Sequence, residues 1–506
     1  MANLLYEDYD LKYPGDFRIS EVALSSPYGG VAGITSNISS INIYEDIDQN
    51  CLTGDITFTD TANLVVNLPI IGNEYLNFKI RTPMESQYGE GEYDFTNVPM
   101  AVFNVSQRLR LNSYTQTVTL EFCSPELIRN QSVRVSRAFE GPYDDAVAKI
   151  FKKSWGLNSK KKIYIQPTKH NHKFVAPNRR PMDVIQMLAN RAVPKTSVLP
   201  GYRFYENGQG FHFRSIDSFY FVVTTAGLQQ HPNMFEYFCD TMDAKGSVNV
   251  RDNPKSAMRF VDKYSFTHLP DLIASHRTGA YANKTISHDS YNKTITTSKF
   301  NYIEDYNQIP HMEKDSIDEG EFVINYRGLI PKAHYDPTDL ELADTNSPGR
   351  TAYKMISDYS DARVMLTSNT AKIHNTNSDS GNRSNEYTGK RQSANTIINS
   401  VQMNMTVPGN THLNIGHMIK VNIPRSGSKK DDTLTSQNDK MFSGRWLITA
   451  IRHNFDMARN EPMHKMVITC SKETYAKHLA DKRGLLQLPV TDEGKAVNIY
   501  DRSEYN

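Results

Sequence analysis

The chain has 506 residues, too many for a single hydrophobic core, and about three or four domains are expected. Its 57 lysine and arginine residues balance 56 aspartate and glutamate residues, and the net charge of +1 excludes a long-range field that would attract nucleic acid. Four cysteines stand far apart without a CxxC spacing, which argues against a zinc module or a disulfide framework and favours assembly in a reducing compartment. No stretch approaches the roughly 20 apolar residues of a membrane span, so no membrane anchor is expected.

The chain begins with an acidic and aromatic segment, residues 1–16, which predicts an N-terminal arm. Residues 17–125 then show the period of β-strands, because apolar and polar residues alternate. In one of these runs, for example, Leu76, Phe78 and Ile80 fall on the same face. The pattern predicts a first β-barrel.

Between residues 126 and 216 the hydrophobic period becomes that of a helix. Pro142 and Pro181 open two short amphipathic patterns, at positions where the missing N–H of proline costs nothing. A strong hairpin pattern follows around the turn at residues 207–210. Residues 126–216 are therefore predicted to form an inserted α/β domain, and residues 217–250 are predicted to return and complete the first barrel.

A second barrel is predicted from residues 251–306 and 396–471. Its clearest strand is 401–407, where apolar and polar residues alternate without a break, and three further apolar runs follow it. Periodicity fades over residues 307–395, and residues 367–399 are rich in serine, asparagine and threonine, which predicts a polar insertion at 307–395 that faces solvent or a partner. Residues 472–506 predict a C-terminal strap rather than a domain.

Short patterns in the turns of both barrels are shared with a known family. The second barrel has a Gly-x-x-x-Leu-x-x-Gly turn and a Ser-Gly-x-aromatic-x-Ile-x-x-Ile-x-His run, and the first has a Pro-x-x-Gly-x-Glu turn. The residues concerned are Gly409, Leu413, Gly416, Ser443, Gly444, Trp446, Ile448, Ile451 and His453, with Pro69, Gly72 and Glu74. In these patterns the chain resembles the central hub protein of contractile phage tail baseplates, which is related to the spike-bearing hubs of type VI secretion.

The resemblance implies a mainly β fold with an α/β insertion, in which two similar antiparallel β-barrel tube domains carry inserted and peripheral domains. It implies a homotrimeric baseplate hub that joins the six-fold tail tube to the three-fold central spike and surrounds the DNA channel, because three copies would present six similar modules. Implied partners are the central spike protein, tail tube or tube-initiator proteins, baseplate wedge proteins and weakly bound duplex DNA. No cofactor is implied. The implied location is the virion tail baseplate, assembled in the host cytoplasm, with a part in cell puncturing and genome ejection.

The alternative function is a tail-associated cell-wall hydrolase with its active site in the α/β insertion. His170 and His172 could share one strand face, but no second cluster with metal-ligand spacing accompanies them, so exposed loop histidines are favoured. His453 is interpreted as a strand residue hydrogen-bonded at a sheet end rather than a catalytic base. No G-x-S-x-G, P-loop or H-E-x-x-H pattern occurs in the sequence, and the chain is not expected to be an enzyme.

Other charged residues also have structural interpretations. Asp46, Asp60 and Glu74 could be glycosidase carboxylates, but their strand and turn positions explain them without chemistry. The three lysines at 160–162 are interpreted as a solvated turn. No catalytic, cofactor-binding or metal-binding residue is predicted.

The candidate residues of the DNA channel are polar positions opposite the buried strand faces. A wall of amides and isolated basic groups would bind duplex DNA no better than the roughly 10⁻⁴ to 10⁻⁶ M of non-specific contacts. The candidates are Asn77, Lys79 and Arg81 in the first barrel, and Gln402, Asn404, Lys420 and Asn422 in the second.

Overall fold

The structure of the protein is a computed structural model that describes most of the chain. The described residues are 10–84, 91–195, 199–224, 227–230, 234–239, 254–305, 311–312, 359–369, 384–424, 438–439, 442–458 and 461–473. Most of the predicted N-terminal arm, most of the C-terminal strap and most of the predicted polar insertion lie outside these ranges.

The first part of the chain forms ten strands and one short helix. They are β1 (Arg18–Ile19), β2 (Ala23–Ser25), β3 (Val31–Gly33), β4 (Ile38–Asp46), β5 (Thr53–Asp60), α1 (Leu64–Asn67), β6 (Tyr75–Asn77), β7 (Lys79–Arg81), β8 (Glu92–Asp94), β9 (Met100–Arg110) and β10 (Gln116–Cys123). In β5 every second residue is buried, as its alternating sequence predicts. Helix α1 begins where the Asp60 carboxylate accepts hydrogen bonds from the N–H groups of Leu64 and Val65, at 2.8 and 3.2 Å.

The insertion combines helices with two small sheets. Its elements are α2 (Pro125–Ser132), β11 (Val135–Gly141), α3 (Tyr143–Lys152), β12 (Ile163–Ile165), β13 (His172–Arg179), α4 (Pro181–Ala189), β14 (Tyr202–Asn207) and β15 (Gly210–Ser215). Helix α3 begins directly after Pro142 and helix α4 begins at Pro181, where the sequence predicts them. Both helices bury apolar faces in a core shared with β14 and β15. Of the described buried residues in this core, Cys51, between β4 and β5, is the one from outside the insertion.

The last part of the chain is again rich in strands. Its elements are β16 (Phe221–Thr224), β17 (Gly227–Gln230), β18 (Phe235–Phe238), α5 (Pro254–Ala257), β19 (Lys263–His268), α6 (Leu272–Thr278), β20 (Ala282–Asp289), β21 (Thr294–Asn301), α7 (Tyr302–Asp305), β22 (Val364–Asn369), α8 (Ser384–Ile397), β23 (Val401–Pro408), β24 (Met418–Asn422), β25 (Gly444–Asp456) and β26 (Met463–Lys472). Strand β23 buries every second side chain through Val407, which confirms the strand predicted at 401–407.

One sheet of 13 strands runs through both β-rich parts. Its order is β19-β23-β26-β25-β4-β5-β10-β9-β6-β2-β3, and at a branch β24 pairs with β25 and β18 pairs with β24. The mainly β class with an α/β insertion is confirmed. Among the described residues, the strand pairings lead from β19 to β3 and do not close into two separate barrels.

Strand β25 joins the two β-rich parts. Its first residues, 444–447, pair with β24, whereas residues 450–456 pair along the same edge with β4. The strand has 13 residues, long enough to serve both parts in turn. Its side chains divide accordingly, since Trp446 lies in the core of the last part and Phe455 in the core of the first. We call these two parts the first half and the second half.

Two segments pair differently from the sequence-based expectation. Residues 235–238 were expected to complete the first barrel, but β18 pairs in parallel with β24 of the second half. The reason is packing, because Tyr237 is fully buried in the second-half core. Strand β22 and helix α8 fall within the predicted polar insertion, yet β22 pairs with β20 in a three-stranded sheet outside the large one.

Trp446 supplies the largest fully buried side chain of the second-half core. Its side chain has no exposed surface, and its indole N–H donates to the Phe442 carbonyl at 3.0 Å. Trp446→Ala is therefore expected to lower the free energy of unfolding by about 3 to 5 kcal/mol. Chemical denaturation followed by circular dichroism measures this loss. Trp155→Ala, at the half-buried tryptophan of the insertion, is the matched control and should cost less; equal losses would contradict this assignment.

Candidate functional site

A buried carboxylate lies where the two halves and the insertion meet. Glu45 on β4 accepts hydrogen bonds from the Tyr93 hydroxyl at 2.8 Å, the Gly208 N–H at 2.9 Å and the Ile415 N–H at 3.2 Å. Tyr93 belongs to the first half, Gly208 to the insertion and Ile415 to the second half. Glu45 therefore ties the three parts of the chain together, and we call this cluster the junction.

The junction continues through two histidines. The Tyr93 hydroxyl lies 2.9 Å from Nε2 of His453, and Nδ1 of His453 lies 3.1 Å from Nε2 of His464. Both rings are fully buried, and burial lowers the pKa of His453 to about 3 and that of His464 well below its usual value. Both are therefore neutral near pH 7. His453 lies inside β25, paired on both sides with β26 and β4, and not at the sheet end that the sequence suggested, and it stabilises the junction through these bonds.

Glu45 gives the junction a defined pH dependence. Burial raises the pKa of its carboxyl to about 7, from an ordinary 4.5 in the unfolded chain. The folded state therefore holds this proton more tightly, and the stability that results is fully present below pH 4.5 and is lost as the pH rises through 7. In Glu45→Gln this titration is absent. Relative to the unchanged protein, the free energy of unfolding of the variant should rise by about 2 kcal/mol between pH 5 and pH 7.

Urea denaturation of both proteins at the two pH values tests this expectation. The titration of the buried histidines is common to both proteins and cancels in the difference. A difference in stability that stays constant with pH would show that Glu45 has the same pKa in the folded and unfolded states.

A second buried cluster joins the first half to the insertion. The Lys161 ammonium lies 2.5 Å from the Glu206 carboxylate and 3.4 Å from that of Glu126. Glu206 also accepts hydrogen bonds from the Leu52 N–H at 2.9 Å and the Ser124 hydroxyl at 2.6 Å. Burial lowers the pKa of Lys161, but the two carboxylates outweigh it and the pKa is raised.

This cluster corrects the interpretation of the lysines at 160–162 as a solvated turn. Lys160 and Lys162 are exposed, but the Lys161 side chain is only 12% exposed. The turn directs the middle lysine inward because two buried carboxylates need a counter-charge. A run of three like charges gives no signal of this difference in the sequence.

The histidine pair in the insertion has a packing role. His172 on β13 is buried and stacks on the Tyr143 ring with 3.8 Å between the ring centres, which corrects the expectation of an exposed loop histidine. Burial lowers its pKa to about 4. In the described part of the chain, no group of three or more His, Cys, Asp or Glu residues could hold a metal ion.

The three carboxylates considered for glycosidase chemistry serve backbone geometry. Glu74 is fully buried and accepts hydrogen bonds from the N–H groups of Ile71, Gly72 and Asn73. Asp60 starts helix α1, as described above. Asp46 accepts a hydrogen bond from the Asp48 N–H at 2.9 Å in the turn after β4. These contacts account for the positions of all three residues.

The first-half channel candidates lie next to acidic partners or in buried positions. Lys79 is paired with Asp94 at 2.8 Å and with Glu92 at 3.7 Å, both on β8. Arg81 is buried and Asn77 is half-buried, so this strand edge offers little free positive charge. Lys79 is thus not the isolated basic group that the sequence suggested. The assignment of these residues to a channel stays a prediction.

The second-half candidates form two separate groups. Gln402 and Asn404 are half-buried on β23, and Asn404 accepts a hydrogen bond from the Thr469 hydroxyl at 2.9 Å. Lys420 is exposed on β24 and lies 2.9 Å from Glu236, which also accepts a hydrogen bond from the buried Asn422. Strands β26 and β25 separate β23 from β24, so the structure brings the candidates together only within each strand. Their place in a channel also stays a prediction.

The sequence predicts a hairpin of residues 101–111 and 115–123, and the structure confirms it, but the exposure of its far end was not indicated by the sequence pattern. From Phe103 to Arg110, strand β9 is exposed on both faces except at the half-buried Val105, and it pairs only with β10 in the described structure. Leu109, Leu111 and Tyr114 near its tip are 49%, 58% and 87% exposed. The sequence signal for an exposed surface was the set of apolar residues in the RLRLNSYTQ stretch, because neither a turn nor a core requires apolar side chains at these positions.

The described residues include no helix that is long and apolar enough to cross a membrane.

No protein-family model matches the sequence, and no curated protein matches it. Among solved structures, the chain is similar to a tail protein of Neisseria meningitidis, with 8% identity over 90% of this chain and 96% of that one and a TM-score of 0.45. It is also similar to a prophage tail protein of Shewanella oneidensis, with 10% identity over 90% and 98% of the two chains and a TM-score of 0.44. A component of the type VI secretion system of E. coli matches with 8% identity over 86% and 73% and a TM-score of 0.33.

Proposed function

We propose that the chain is a structural hub of a contractile phage tail baseplate. Three copies form a ring that joins the six-fold tail tube to the three-fold central spike and surrounds the DNA channel. The observation that carries this proposal is the single sheet through both halves, in which β25 pairs with each of them. A chain with two β-rich halves held in fixed register supplies six units from three copies, which matches a six-fold tube to a three-fold spike.

Side-chain and backbone contacts support a fixed arrangement of the halves. Besides the β25–β4 ladder and the junction, the Thr82 N–H donates to the Thr411 hydroxyl at 2.7 Å and the Thr411 N–H donates to the Thr82 hydroxyl at 3.0 Å. The halves can part only if all of these bonds break together. An adaptor that transmits the force of tail contraction needs this property.

The hairpin of β9 and β10 is the surface that we assign to the contact with the next copy. A bare two-stranded ribbon is marginally stable in water, and exposed leucine and tyrosine side chains are typical of interaction sites. Beyond Val102 one edge of β9 pairs with no described strand, and it offers backbone donors and acceptors to a neighbour. Pairing of this edge with another copy would continue the sheet across the ring.

The remaining partners follow from the place of such a ring. The spike lies on one side, the tube or its initiator proteins on the other, and the baseplate wedges around it. Duplex DNA passes through the channel with weak contact. The two lysines assigned to the channel, Lys79 and Lys420, pair with carboxylates, and this negative charge offsets their attraction for phosphate.

In this proposal the chain works without catalysis or a cofactor. Purified protein added to a suspension of bacterial cell wall is expected to leave the turbidity unchanged over hours, with lysozyme as the positive control. A steady fall in turbidity would replace the hub with the alternative of a cell-wall hydrolase.

A further inference from the structure

The small sheet of β21, β20 and β22 has a reversed polarity. On β20 the residues on the side of helix α8 are polar, and Asn283, Thr285 and Ser287 are all buried there. The opposite face carries Ile295 on β21 and Leu366 on β22, which are 70% and 80% exposed. A sheet usually buries its apolar face. An outward apolar face is typical of a surface that another molecule covers.

Strand β21 also leaves one edge free. It pairs with β20 along all eight of its residues without a bulge, and it pairs with no other strand in the described structure. Residues 294–297 are exposed on both faces. Natural sheets often close such an edge with a proline, a bulge or a covering element. The sequence of β21 contains no proline, and its edge is open to a further strand.

The hydrogen bonds of the sheet show which residues point to the free edge. The Tyr302 N–H donates to the Tyr281 carbonyl at 2.9 Å, one pair beyond the last pair of the β20–β21 ladder. Because bonded and non-bonded pairs alternate in an antiparallel ladder, the even-numbered residues of β21 bond to β20. The N–H and C=O groups of Ile295, Thr297 and Lys299 therefore point outwards in one row.

This row of backbone donors and acceptors fits an extended polypeptide, because another strand repeats the same groups at the same spacing. The adjacent side chains define which polypeptide. Ile295 and Lys299 lie on the exposed face, and Lys299 forms no ion pair in the described structure. An added strand is stabilised by an apolar residue opposite Ile295 and by an acidic residue opposite Lys299, four positions away.

The charges argue against a second β21 strand as the occupant of this edge. Residues 291–299 contain two lysines and no acidic residue. Pairing of two copies would bring both lysines of each copy together without a carboxylate from these residues to offset them. Lysine on an edge strand is a common device against such self-association. An acidic strand meets attraction at the same place.

We propose that the free edge of β21 binds an extended acidic segment of a partner protein, which adds a fourth strand to the small sheet. The segment carries an apolar residue and an acidic residue four positions apart, opposite Ile295 and Lys299. This site goes beyond the ring proposed above and is independent of it, because β20, β21 and β22 lie outside the large sheet.

Isothermal titration calorimetry of the full chain with a synthetic peptide tests the proposal. The peptide ETTTVTTTE, blocked at both ends, has a glutamate four positions from the valine in each direction, so it fits a parallel or an antiparallel pairing. It is expected to bind with a Kd below about 1 mM. The charge-reversed peptide KTTTVTTTK should bind at least about tenfold more weakly. Absence of binding by both peptides, or equal binding of the two, would overturn the proposal.

Thr297→Pro separates strand addition from simple attraction to lysine. The substitution removes an N–H that points to the free edge and leaves the ladder to β20 intact, and edge strands tolerate proline at such positions. Peptide binding should be lost with little change in the melting temperature, whereas Thr297→Val keeps the N–H and should bind as before. Unchanged binding by Thr297→Pro would refute strand addition. A smaller oligomeric mass of this variant would assign the edge to a second copy and refute the partner.

Lys299→Glu tests the charge preference without any change to the backbone. Because this residue is exposed, the fold should be unaffected. Affinity for the acidic peptide should fall about tenfold and affinity for the lysine peptide should rise. Lys263→Glu, at an exposed position of the edge strand β19, is the matched control and should change neither affinity. An unchanged preference for the acidic peptide in Lys299→Glu would contradict the proposal.

Discussion

Replacement of Lys161 by alanine is expected to lower the free energy of unfolding by about 3 to 5 kcal/mol. The lysine lies between the side chains of Glu206 and Glu126, which are only 1% and 4% exposed. Its removal leaves two buried carboxylates without a counter-charge. The Glu206 carboxylate keeps its hydrogen bond from the Leu52 N–H at 2.9 Å. This loss of stability comes from the uncompensated buried charge, and it is larger than the stabilisation that the ion pair itself contributes.

Two further variants separate this explanation from a general effect of losing a lysine. Lys160→Ala changes the exposed neighbour and should alter stability by less than about 0.5 kcal/mol. Adding Glu206→Gln to Lys161→Ala removes one of the buried charges and should recover part of the loss. Equal melting curves for Lys160→Ala and Lys161→Ala would contradict the buried position of Lys161.

The double variant Leu109→Glu with Leu111→Glu is expected to abolish the proposed trimer and leave the fold of the monomer unchanged. Both leucines are about half exposed near the tip of the β9–β10 hairpin, so the charges meet water in the isolated chain. In the ring they would be buried against the next copy, where an unpaired carboxylate is strongly unfavourable. Two such charges at each of three interfaces should be enough to prevent assembly.

Sedimentation velocity of the variant measures the oligomeric state, and circular dichroism measures the fold. Ile273→Glu, which places the same charge on an exposed apolar residue of helix α6, is the matched control and should remain a trimer. A hairpin variant that still forms trimers would move the contact between copies to another surface of the chain.

Local patterns predicted the individual elements well. Alternation predicted β5 and β23, because in each of them one face is buried by a core. Proline at the first turn predicted α3 and α4, since its missing N–H costs nothing there. The Pro-x-x-Gly-x-Glu turn was expected from the family resemblance, and the structure shows its cause in the hydrogen bonds that Glu74 accepts from three backbone N–H groups.

Pairing between distant segments could not be predicted in the same way. Residues 450–456 of β25 pair with β4, about 400 positions earlier, and alternation is equally satisfied by a closed barrel or by a shared sheet. Parallel pairing of β18 with β24 depends on the burial of Tyr237, which is a tertiary effect. The sequence could therefore indicate the class of fold but not how its sheet continues.

The buried polar groups were also hidden from sequence reasoning. Lys161 differs from its neighbours only in the direction that the turn gives it. Asn283 and Thr285 alternate on a strand as solvent-facing residues do, and only the position of helix α8 shows that they are buried. His453 was found because the hub-like pattern includes it, but its partners Tyr93 and His464 come from other strands.

The mass of the purified chain in solution tests the proposed hub most directly. Light scattering coupled to gel filtration at micromolar concentration is expected to give three times the mass of one chain, and negative-stain images of the same sample should show rings with a central opening. Because the positive and negative charges of the chain nearly balance, no strong electrostatic repulsion between the copies is expected. A species with the mass of a single chain across the micromolar range, without rings in the images, would contradict the account.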